Sequence, residues 1–492
     1  MSSPEEPKPL LTSSETPCPN ESPNIEAGIQ ENQPQGQLGW DGDDDPDNPQ
    51  NWSRPKKAIN ISIVFFLAFI TPLASSMVGP ALALVAKDLG ETREPVVALI
   101  VSIFVLGFAF GPLVLAPLSE LYGRRAIYNF SNIAHLGFSV GCALSPNMAS
   151  LIAFRFLAGL FGAAPMNVAG GSIADLVPLA NRGMILAGLF AVIFLGPVIG
   201  PVIGGFIAQE IGWRWIFWLV VIVSIIATIL TLCFLTESHP DTILRERAGL
   251  SKEQPQADGK RSAKLRAVLL QSVLRPMRML IRSPIITGLS LYLALIYGYL
   301  YLLFTTFSTV FPKQYGFGPG ILGLAFLGLG VGMTIALAIL SWFSDWAQEK
   351  LTKKYGRSKP EYRLLPLIFG IPFLPIGLFG YGWTTQYQVH WIVPIIFTSF
   401  AGIGLIFSFV PTQIYMVDAF TKYAASALAA ASVVRSIFGG CMPIAGLPMY
   451  SALGYGWGNS LLGFVALVAS VAPFVFWRYG ETLRTKYEVS FD

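Results

Sequence analysis

The feature that most limits the folds open to this chain is a series of long intervals without Asp, Glu, Lys or Arg. A helix needs about 20 apolar residues to cross the hydrocarbon core of a bilayer, and each interval offers that length. Six of them precede the middle of the chain, at 58–86, 95–119, 126–154, 156–174, 183–209 and 215–236. They predict six membrane spans.

A second set follows a polar and basic segment at residues 237–283. Two of its intervals, 284–312 and 314–344, each fit one span. Two longer ones are 364–417 and 423–477, the second interrupted by a single charge at Arg435. They contain turn-forming stretches at 380–390 and 451–460, so each is expected to hold two spans. The chain is therefore predicted to be an all-α membrane protein with twelve transmembrane helices.

Composition agrees with this class, because 53% of the residues are hydrophobic and only 13% are charged, against roughly a quarter charged in ordinary soluble domains. The sequence has no nucleophile elbow, phosphate-binding loop or metal-ligand cluster. We therefore expect a protein that is not an enzyme and that uses no cofactor, metal or nucleic acid. The four cysteines, Cys18, Cys142, Cys233 and Cys441, lie far apart and predict no disulfide.

Orientation follows from the basic residues, which accumulate on the cytoplasmic side of membranes. A cytoplasmic N-terminus places 27 of the 33 Lys and Arg residues in cytoplasmic segments and makes both termini cytoplasmic. The predicted units are a disordered acidic tail (1–57), an N-terminal six-helix bundle (58–236), a cytoplasmic linker (237–283), a C-terminal six-helix bundle (284–478) and a cytoplasmic C-terminal tail (479–492).

The two halves carry similar cytoplasmic turns after their second spans. The first turn contains Glu120, Gly123, Arg124 and Arg125, and the second contains Asp345 followed by a Gly-Arg pair at 356–357. Two repeated bundles that rock about a central site are typical of secondary transporters. An acid–base pair of Glu120 with Arg124 or Arg125 at a wet interface contributes about 1 kcal/mol, which suits a latch that must open. The alternative is that these charges only set the topology.

The sequence GPVIGPVIGGF at residues 196–206 combines small residues with prolines inside an apolar span. Gly196, Gly200 and Gly204 recur every four residues, so they share one helix face and allow a neighbouring backbone to approach closely. Proline at 197 and 201 removes intrahelical hydrogen bonds and bends the helix. We therefore expect the segment to form a helix contact and a hinge. The alternative is helix packing without further meaning.

Few titratable groups lie within the spans. Arg155 begins several residues inside the fourth span, where a charge costs about 3 kcal/mol, so it is expected to face the bundle interior. The alternative is an arginine that extends toward the outer interface. His135 and Asp175 are the candidates to carry a proton. Because no Asp or Glu lies near the middle of a span, neutral or weakly charged amphipathic substrates are expected rather than polyamines.

On these residues the chain resembles the major facilitator superfamily, and within it the fungal branch of the twelve-span drug:proton antiporters. The resemblance extends over about 48–479 and includes the phrases NPQNWS, WRWIFW and PEYRL. The loop after the second span departs from the family pattern, since Ala116 replaces a preferred Gly and Leu121 a preferred base. The implied fold is the major facilitator fold, with two six-helix bundles.

The resemblance also implies roles for the three motifs. The turn at Glu120 resembles a cytoplasmic gate that steadies the outward-facing state, and Arg155 matches an arginine linked to proton coupling. The glycine stretch is similar to the antiporter motif G-x-x-x-G-P-x-x-G-G, which lies between the halves and is associated with export. Its matching residues are Gly196, Gly200, Pro201, Gly204 and Gly205.

Substrate-binding residues are predicted from the seventh span, where aromatic and hydroxyl groups share one helix face. This face consists of Tyr297, Tyr301, Phe304, Ser308 and Phe311. Tyr415 in the tenth span and Arg435 in the eleventh are further candidates. The alternative for each aromatic residue is a packing or lipid-facing role.

Together these features predict a proton-coupled antiporter that exports small amphipathic organic compounds, such as drugs, toxins or secondary metabolites, by alternating access. The expected partners are a small-molecule substrate, protons and the lipid bilayer, and the expected form is a monomer in the plasma membrane. An uptake symporter, a facilitator or a polyamine transporter of the same fold is the first alternative. A transporter-like receptor that binds ligand without flux is the second.

Overall fold

A computed structural model describes residues 39–42, 44–249, 258–357 and 359–486, and in these ranges every regular element is helical. Ten stretches are long and apolar enough to cross a membrane. The last of them contains two helices that meet at a kink at Gly454, and the more polar helix Arg124–Ala143 lies outside this set. Twelve helical passages result, so the all-α prediction is confirmed.

The first half contains six of these passages, labelled α1 to α6. α1 covers Arg54–Ser76 and continues through a 3-10 turn into Leu82–Asp88. α2 covers Glu94–Gly107 and continues through a π-helical turn, Gly111–Leu115, into Ala116–Tyr122. The other four are α3 (Arg124–Ala143), α4 (Met148–Leu176), α5 (Leu179–Glu210) and α6 (Arg214–Phe234).

The second half contains α7 (Pro284–Tyr315), α8 (Pro319–Tyr355), α9 and α10 (Ile392–Ala419). α9 is assembled from the segments Pro360–Leu364, Leu365–Gly370 and Phe373–Gln386. The element Ala424–Ala469 supplies α11 before Gly454 and α12 after it, and α12 continues through Val471–Lys486. Between the halves lie two linker helices, Pro240–Arg247 and Asp258–Arg282.

Local sequence explains several helix ends. Asn147 begins α4, where its side-chain oxygen accepts the backbone N–H of Ser150 at 2.9 Å and so satisfies one free donor. Gly123, with φ of 92°, separates α2 from α3 in a conformation that residues with a Cβ rarely adopt. Gly454, with φ of 72°, makes the break between α11 and α12 for the same reason.

The tail prediction for residues 1–57 needs correction where the structure describes it. Asp45 is 5% exposed and accepts the backbone N–H groups of Asp41 and Asp47, each at 2.9 Å. These bonds and the guanidinium of Arg247, 2.7 Å away, hold the pKa of Asp45 below its ordinary value. Trp52 is buried as well. Residues 44–57 are therefore a structured segment bound to the linker, because buried polar and aromatic contacts offset its chain entropy.

Two pairs of helices connect the halves. α5 packs against α1 within the first half and against α8 of the second half, while α2 packs against α11. One end of the bundle, called the Lys313 side, carries the ends of α5 and α7 and the starts of α2 and α8. There Glu94 and Lys313 form an ion pair at 3.5 Å, and Gly320 donates its backbone N–H to Gln209 Oε1 at 3.0 Å.

Candidate functional site

The glycines of the 196–206 stretch use two faces of α5. A Cβ at Gly196 would lie 2.8 Å from the backbone nitrogen of Leu73, and one at Gly200 would lie 2.8 Å from the Leu73 carbonyl oxygen. Gly204 lies against the Met77 carbonyl in the same way. All three therefore fit α5 onto α1 within the first half, so the expectation that this glycine face forms the seam is wrong.

The seam between the halves uses the neighbouring face of α5. A Cβ at Gly205 would meet the carbonyl of Pro319 and would lie 3.3 Å from the Cα of Gly323. In return, a Cβ at Gly323 would meet the carbonyl of Pro201 and lie 3.1 Å from the Cα of Val202. These missing side chains let the backbones of α5 and α8 touch. The stretch therefore contacts the other half as expected, through Pro201, Val202 and Gly205 and not through the face of Gly196, Gly200 and Gly204.

A small central cavity lies between the halves, with a volume of about 10 Å³, which is the room that one water molecule needs. Phe194 of α5 comes from the first half, and its ring centre is 5.2 Å from that of Phe409 on α10. The remaining lining residues come from α7, α8 and α10 of the second half: Ile296, Tyr297, Leu300, Met333, Leu405 and Ile406. The walls are almost entirely apolar and aromatic.

The predicted substrate face on α7 reaches this cavity only at Tyr297. Tyr301 is 1% exposed, and its hydroxyl lies 3.2 Å from Ser75 Oγ of α1, so it joins the two halves. Phe304 and Phe311 pack among other rings, and Ser308 donates to the Thr305 carbonyl at 2.5 Å. Most of this face therefore packs against other side chains, which is the alternative to substrate binding given above.

The predicted candidate Tyr415 lies away from the cavity. It is fully buried beside Glu361 and Gly480, because a Cβ at Gly480 would lie 3.0 Å from Glu361 Cγ and 3.1 Å from the Tyr415 hydroxyl. Arg484 lies 3.5 Å from Glu361 at the same place. Tyr415 therefore belongs to a polar cluster at one end of the second half and does not line the central cavity.

Arg435 of α11 does lie next to the cavity. Its guanidinium carbon is 5.0 Å from the ring centre of Tyr297 and 5.2 Å from that of Phe409, and both rings line the cavity. The side chain is half-buried, and its buried Nε has no hydrogen-bond partner in the described part of the chain.

Arg155 is 2% exposed and faces the interior of the first half, which confirms the prediction and removes the alternative of an arginine that reaches the interface. Its Nε donates to the Ile100 carbonyl at 2.9 Å, Nη1 to the Ala74 carbonyl at 2.9 Å, and Nη2 to the Ser75 carbonyl at 3.1 Å. Phe104 lies 4.2 Å from the guanidinium. The charge is therefore held by carbonyl dipoles of α1 and α2 without a carboxylate partner.

His135 lies beside the same aromatic ring, with its ring centre 6.2 Å from that of Phe104. Its Nδ1 donates to the Ala158 carbonyl at 2.9 Å, because a carbonyl oxygen only accepts. The other ring nitrogen, Nε2, is buried and has no hydrogen-bond partner among the described residues.

The turn after α2 forms an ion-pair cluster that differs from the predicted latch. Arg124 pairs with Asp175 at 3.2 Å and donates to Ser119 Oγ at 2.7 Å. Glu237, which follows α6, accepts the backbone N–H groups of Arg124 at 2.8 Å and Arg125 at 3.1 Å. Its carboxylate thus satisfies free donors at the start of α3 and interacts favourably with the helix dipole.

Glu120 itself is exposed and forms no ion pair within the ranges that the structure describes. The predicted partners are taken elsewhere, because Arg124 binds Asp175 and Arg125 donates to the Leu232 carbonyl at 2.9 Å. The pairing of Glu120 with either arginine is therefore wrong.

The second half repeats this cluster with the same atoms. Arg363 pairs through Nε with Asp418 at 3.3 Å and donates from Nη1 to Ser344 Oγ at 3.2 Å, while Asp345 adds a second carboxylate at 2.7 Å. Ser344 lies in the last third of α8, Arg363 in the first segment of α9 and Asp418 at the end of α10. Ser119, Arg124 and Asp175 lie in the corresponding helices α2, α3 and α4.

The repeat predicted from sequence therefore exists, but Arg363 is the counterpart of Arg124. Arg357, which the Gly-Arg pattern suggested, contacts Glu481 at 3.6 Å instead. Sequence reasoning also missed Glu237, Asp418, Phe194 and Phe409. A signal was available for the acids, since each directly follows a predicted span.

Comparison with known proteins places these features in a family. The sequence profile of the Major Facilitator Superfamily matches residues 64–443. The chain is 46% identical over 467 residues to the MFS-type transporter penM of Penicillium rubens, covering 92% of this chain and 91% of that protein. It is 44% identical over 455 residues to the efflux pump radE of Floropilus chiversii, covering 91% and 85%.

Solved structures agree at the level of the fold. A crystal structure of the D-xylose–proton symporter superposes with a TM-score of 0.63, covering 87% of this chain and 98% of that one at 16% sequence identity. A partially occluded inward-open conformation of the xylose transporter XylE from E. coli gives a TM-score of 0.61 at 14% identity, covering 86% and 99%. At such identities the likeness shows the fold alone.

Proposed function

This chain belongs to the major facilitator superfamily and is a membrane transporter, and from that premise we propose that it exports small amphipathic organic compounds in exchange for protons. The bundles 58–236 and 284–478 are the two moving bodies, and the protein works as a monomer. It lies in the plasma membrane with both termini in the cytoplasm.

The observation that carries this proposal is the central cavity, which both halves line. Phe194 belongs to the first half and Tyr297 and Phe409 to the second, so a movement of one half against the other opens or closes the same cavity. Alternating access needs such an arrangement. Aromatic walls suit flat, apolar compounds.

Export rather than uptake is supported by the α5 sequence, which resembles the antiporter motif through Gly196, Gly200, Pro201, Gly204 and Gly205. It is also supported by the relative named an efflux pump. An uptake symporter is the second candidate, and the direction assay below separates the two.

For coupling, we assign a positioning role to Arg155 and the proton to His135 or Asp175. Arg155 is bound to carbonyls of α1 and α2, so its position depends on how these helices are arranged. Asp175 is tied to Arg124 at the end of α4, and a proton on this carboxylate removes the charge that holds the ion pair.

We assign the role of cytoplasmic gate to the two ion-pair clusters. Gly123, Arg124 and Arg125 form the turn of the first cluster, with the exposed Glu120 beside it, and Asp345 belongs to the second. The pairs of Arg363 are partly exposed and contribute about 1 kcal/mol or less each, so they can hold a closed state and still release it, whereas the pair of Arg124 with Asp175 is largely buried.

The test is transport into everted vesicles that contain the protein. Their cytoplasmic face is outside, so an acidic interior should drive a fluorescent substrate inward, and nigericin should abolish the accumulation. Asp175→Asn and His135→Asn are run in parallel. The variant whose transport becomes indifferent to the gradient identifies the proton carrier, and Gly170→Ala, at a position with nothing within 4 Å, is the matched control.

Three outcomes contradict the proposal. Accumulation that ignores the gradient removes the proton from the mechanism. Loss of preloaded substrate under an acidic interior indicates symport in the uptake direction. Saturable binding without any flux indicates a receptor.

A further inference from the structure

We propose that Arg435 and the aromatic wall of the central cavity bind the carboxylate of an organic acid, so that the transported amphipath is an organic anion. This inference rests on the proposed function and narrows its substrate class. It assigns the charged part of the ligand to Arg435 on α11 and the apolar part to the rings of α5, α7 and α10.

The first step is the position of the charge. The guanidinium of Arg435 lies against Tyr297 and Phe409, at 5.0 and 5.2 Å from their ring centres, and these rings border the cavity. Cation–π contacts of this kind stabilise the side chain against the cavity wall. Arg435 itself is not one of the lining residues, so a ligand that enters when the halves separate would meet its charge beside the rings of Tyr297 and Phe409.

The second step is that this charge is not neutralised. A guanidinium has five N–H donors, and an aromatic ring accepts none of them as an ordinary hydrogen bond. Over the described residues, Arg435 takes part in no ion pair, and its buried Nε donates to no acceptor. Buried donors without partners are costly, so a ligand that supplies acceptors is favoured there.

The comparison with Arg155 makes this observation specific. Both arginines lie within spans, but each of the three guanidinium nitrogens of Arg155 donates to a backbone carbonyl at 2.9 to 3.1 Å. No ligand is needed to complete its contacts. Arg435 differs because its neighbours are rings, which leaves its hydrogen-bonding capacity directed at an incoming molecule.

The third step is the chemistry of the ligand. A carboxylate matches the planar guanidinium and accepts two parallel N–H bonds from it. The cavity lining contains no Asp or Glu within the described ranges, so an amine would place a second positive charge beside Arg435 without compensation. An aromatic or branched apolar acid fits both the charge and the walls.

The experiment is a binding measurement with the full chain in nanodiscs and two matched probes, 1-naphthaleneacetic acid and 1-naphthaleneacetamide. They share one ring system and differ in charge at pH 7.5. The wild type should bind the acid about tenfold or more tightly than the amide, the effect of one hydrogen-bonded charge. Arg435→Gln should lose this preference and leave amide binding within about twofold of wild type.

Arg435→Lys serves as the matched variant, since it retains the charge and loses the paired geometry, so its preference for the acid should be intermediate. Thermal unfolding of each variant checks the fold. The wild-type comparison of acid with amide needs no variant, so the proposal remains testable if Arg435→Gln does not fold.

Equal binding of both probes by the wild type overturns the proposal, and so does an equal loss of both in Arg435→Gln. Binding requires no proton gradient. Transport that fails in vesicles while the acid preference persists therefore contradicts the proposed exporter and leaves the anion site intact.

Discussion

The contact between Gly205 and α8 allows a direct test of how the halves move. In Gly205→Ala the new methyl group would meet the carbonyl of Pro319 and lie 3.2 Å from its carbon atom. The obstacle is backbone, which cannot rotate away as a side chain can. The two helices must therefore separate at the Lys313 side, and the closed arrangement there is weakened.

The magnitude follows from two terms. Forcing a methyl group into a tight contact costs about 1–3 kcal/mol. Replacing Gly by Ala inside a helix stabilises it by about 1 kcal/mol, but that gain is present in every conformation and cancels between them. The shift away from the closed state is therefore about 1–3 kcal/mol, and about 1.4 kcal/mol within this range is tenfold in the population ratio.

The assay is a distance measurement between spin labels at positions 94 and 313, in a variant without the native cysteines. These positions belong to opposite halves, and the Glu94 and Lys313 side chains meet at 3.5 Å in the closed arrangement. The ratio of short-distance to long-distance populations in nanodiscs should fall about tenfold in Gly205→Ala.

Two neighbouring glycines provide controls. Gly204→Ala directs its methyl group at the Met77 carbonyl of the same half, so it should lower the melting temperature without changing the distance ratio. Gly170→Ala meets nothing within 4 Å and should change neither. The reasoning is refuted if Gly205→Ala behaves like Gly170→Ala, or if Gly204→Ala shifts the ratio equally.

Three further predictions concern charged contacts. Arg155→Lys keeps the charge but cannot reach all three carbonyls. We expect the free energy of unfolding to fall by about 1.5–3 kcal/mol for each charged hydrogen bond that is lost, measured by thermal unfolding. An unchanged melting temperature would contradict this prediction. Glu237→Gln removes the negative charge at the start of α3 and should cost about 0.5–2 kcal/mol in the same measurement. Arg247→Ala should increase hydrogen exchange of residues 44–57 at pH 7. In the wild type, folding lowers the pKa of Asp45 below its ordinary value of 3.8. The ionised carboxylate therefore stabilises this segment at pH values above 3.8, and the stabilisation is lost as pH falls through the lower pKa of the folded state. Loss of protection already at pH 6 would refute this assignment.

The candidate site was predictable where burial of a charge restricts the possibilities. Arg155 had to face the interior because lipid is a poor environment for a guanidinium, and three carbonyls receive it there. Glu237 was not predictable in its role, since it acts on residues 112 and 113 positions away in the chain. Arg363 was missed because several bases follow α8, and only the arrangement of helix ends selects one of them.

What the sequence by itself determined is the class of the protein, the twelve helical passages and the repeat of two halves. The reason is that a bilayer requires every backbone polar group to be satisfied within its own helix, so length and hydropathy suffice. The tertiary structure alone decided that Gly204 faces α1 while Gly205 faces α8, and that the buried Nε of Arg435 lacks an acceptor while each guanidinium nitrogen of Arg155 has one. Hydropathy does not select helix partners in lipid; close backbone contact and hydrogen bonding do, and both depend on residues far apart in the chain.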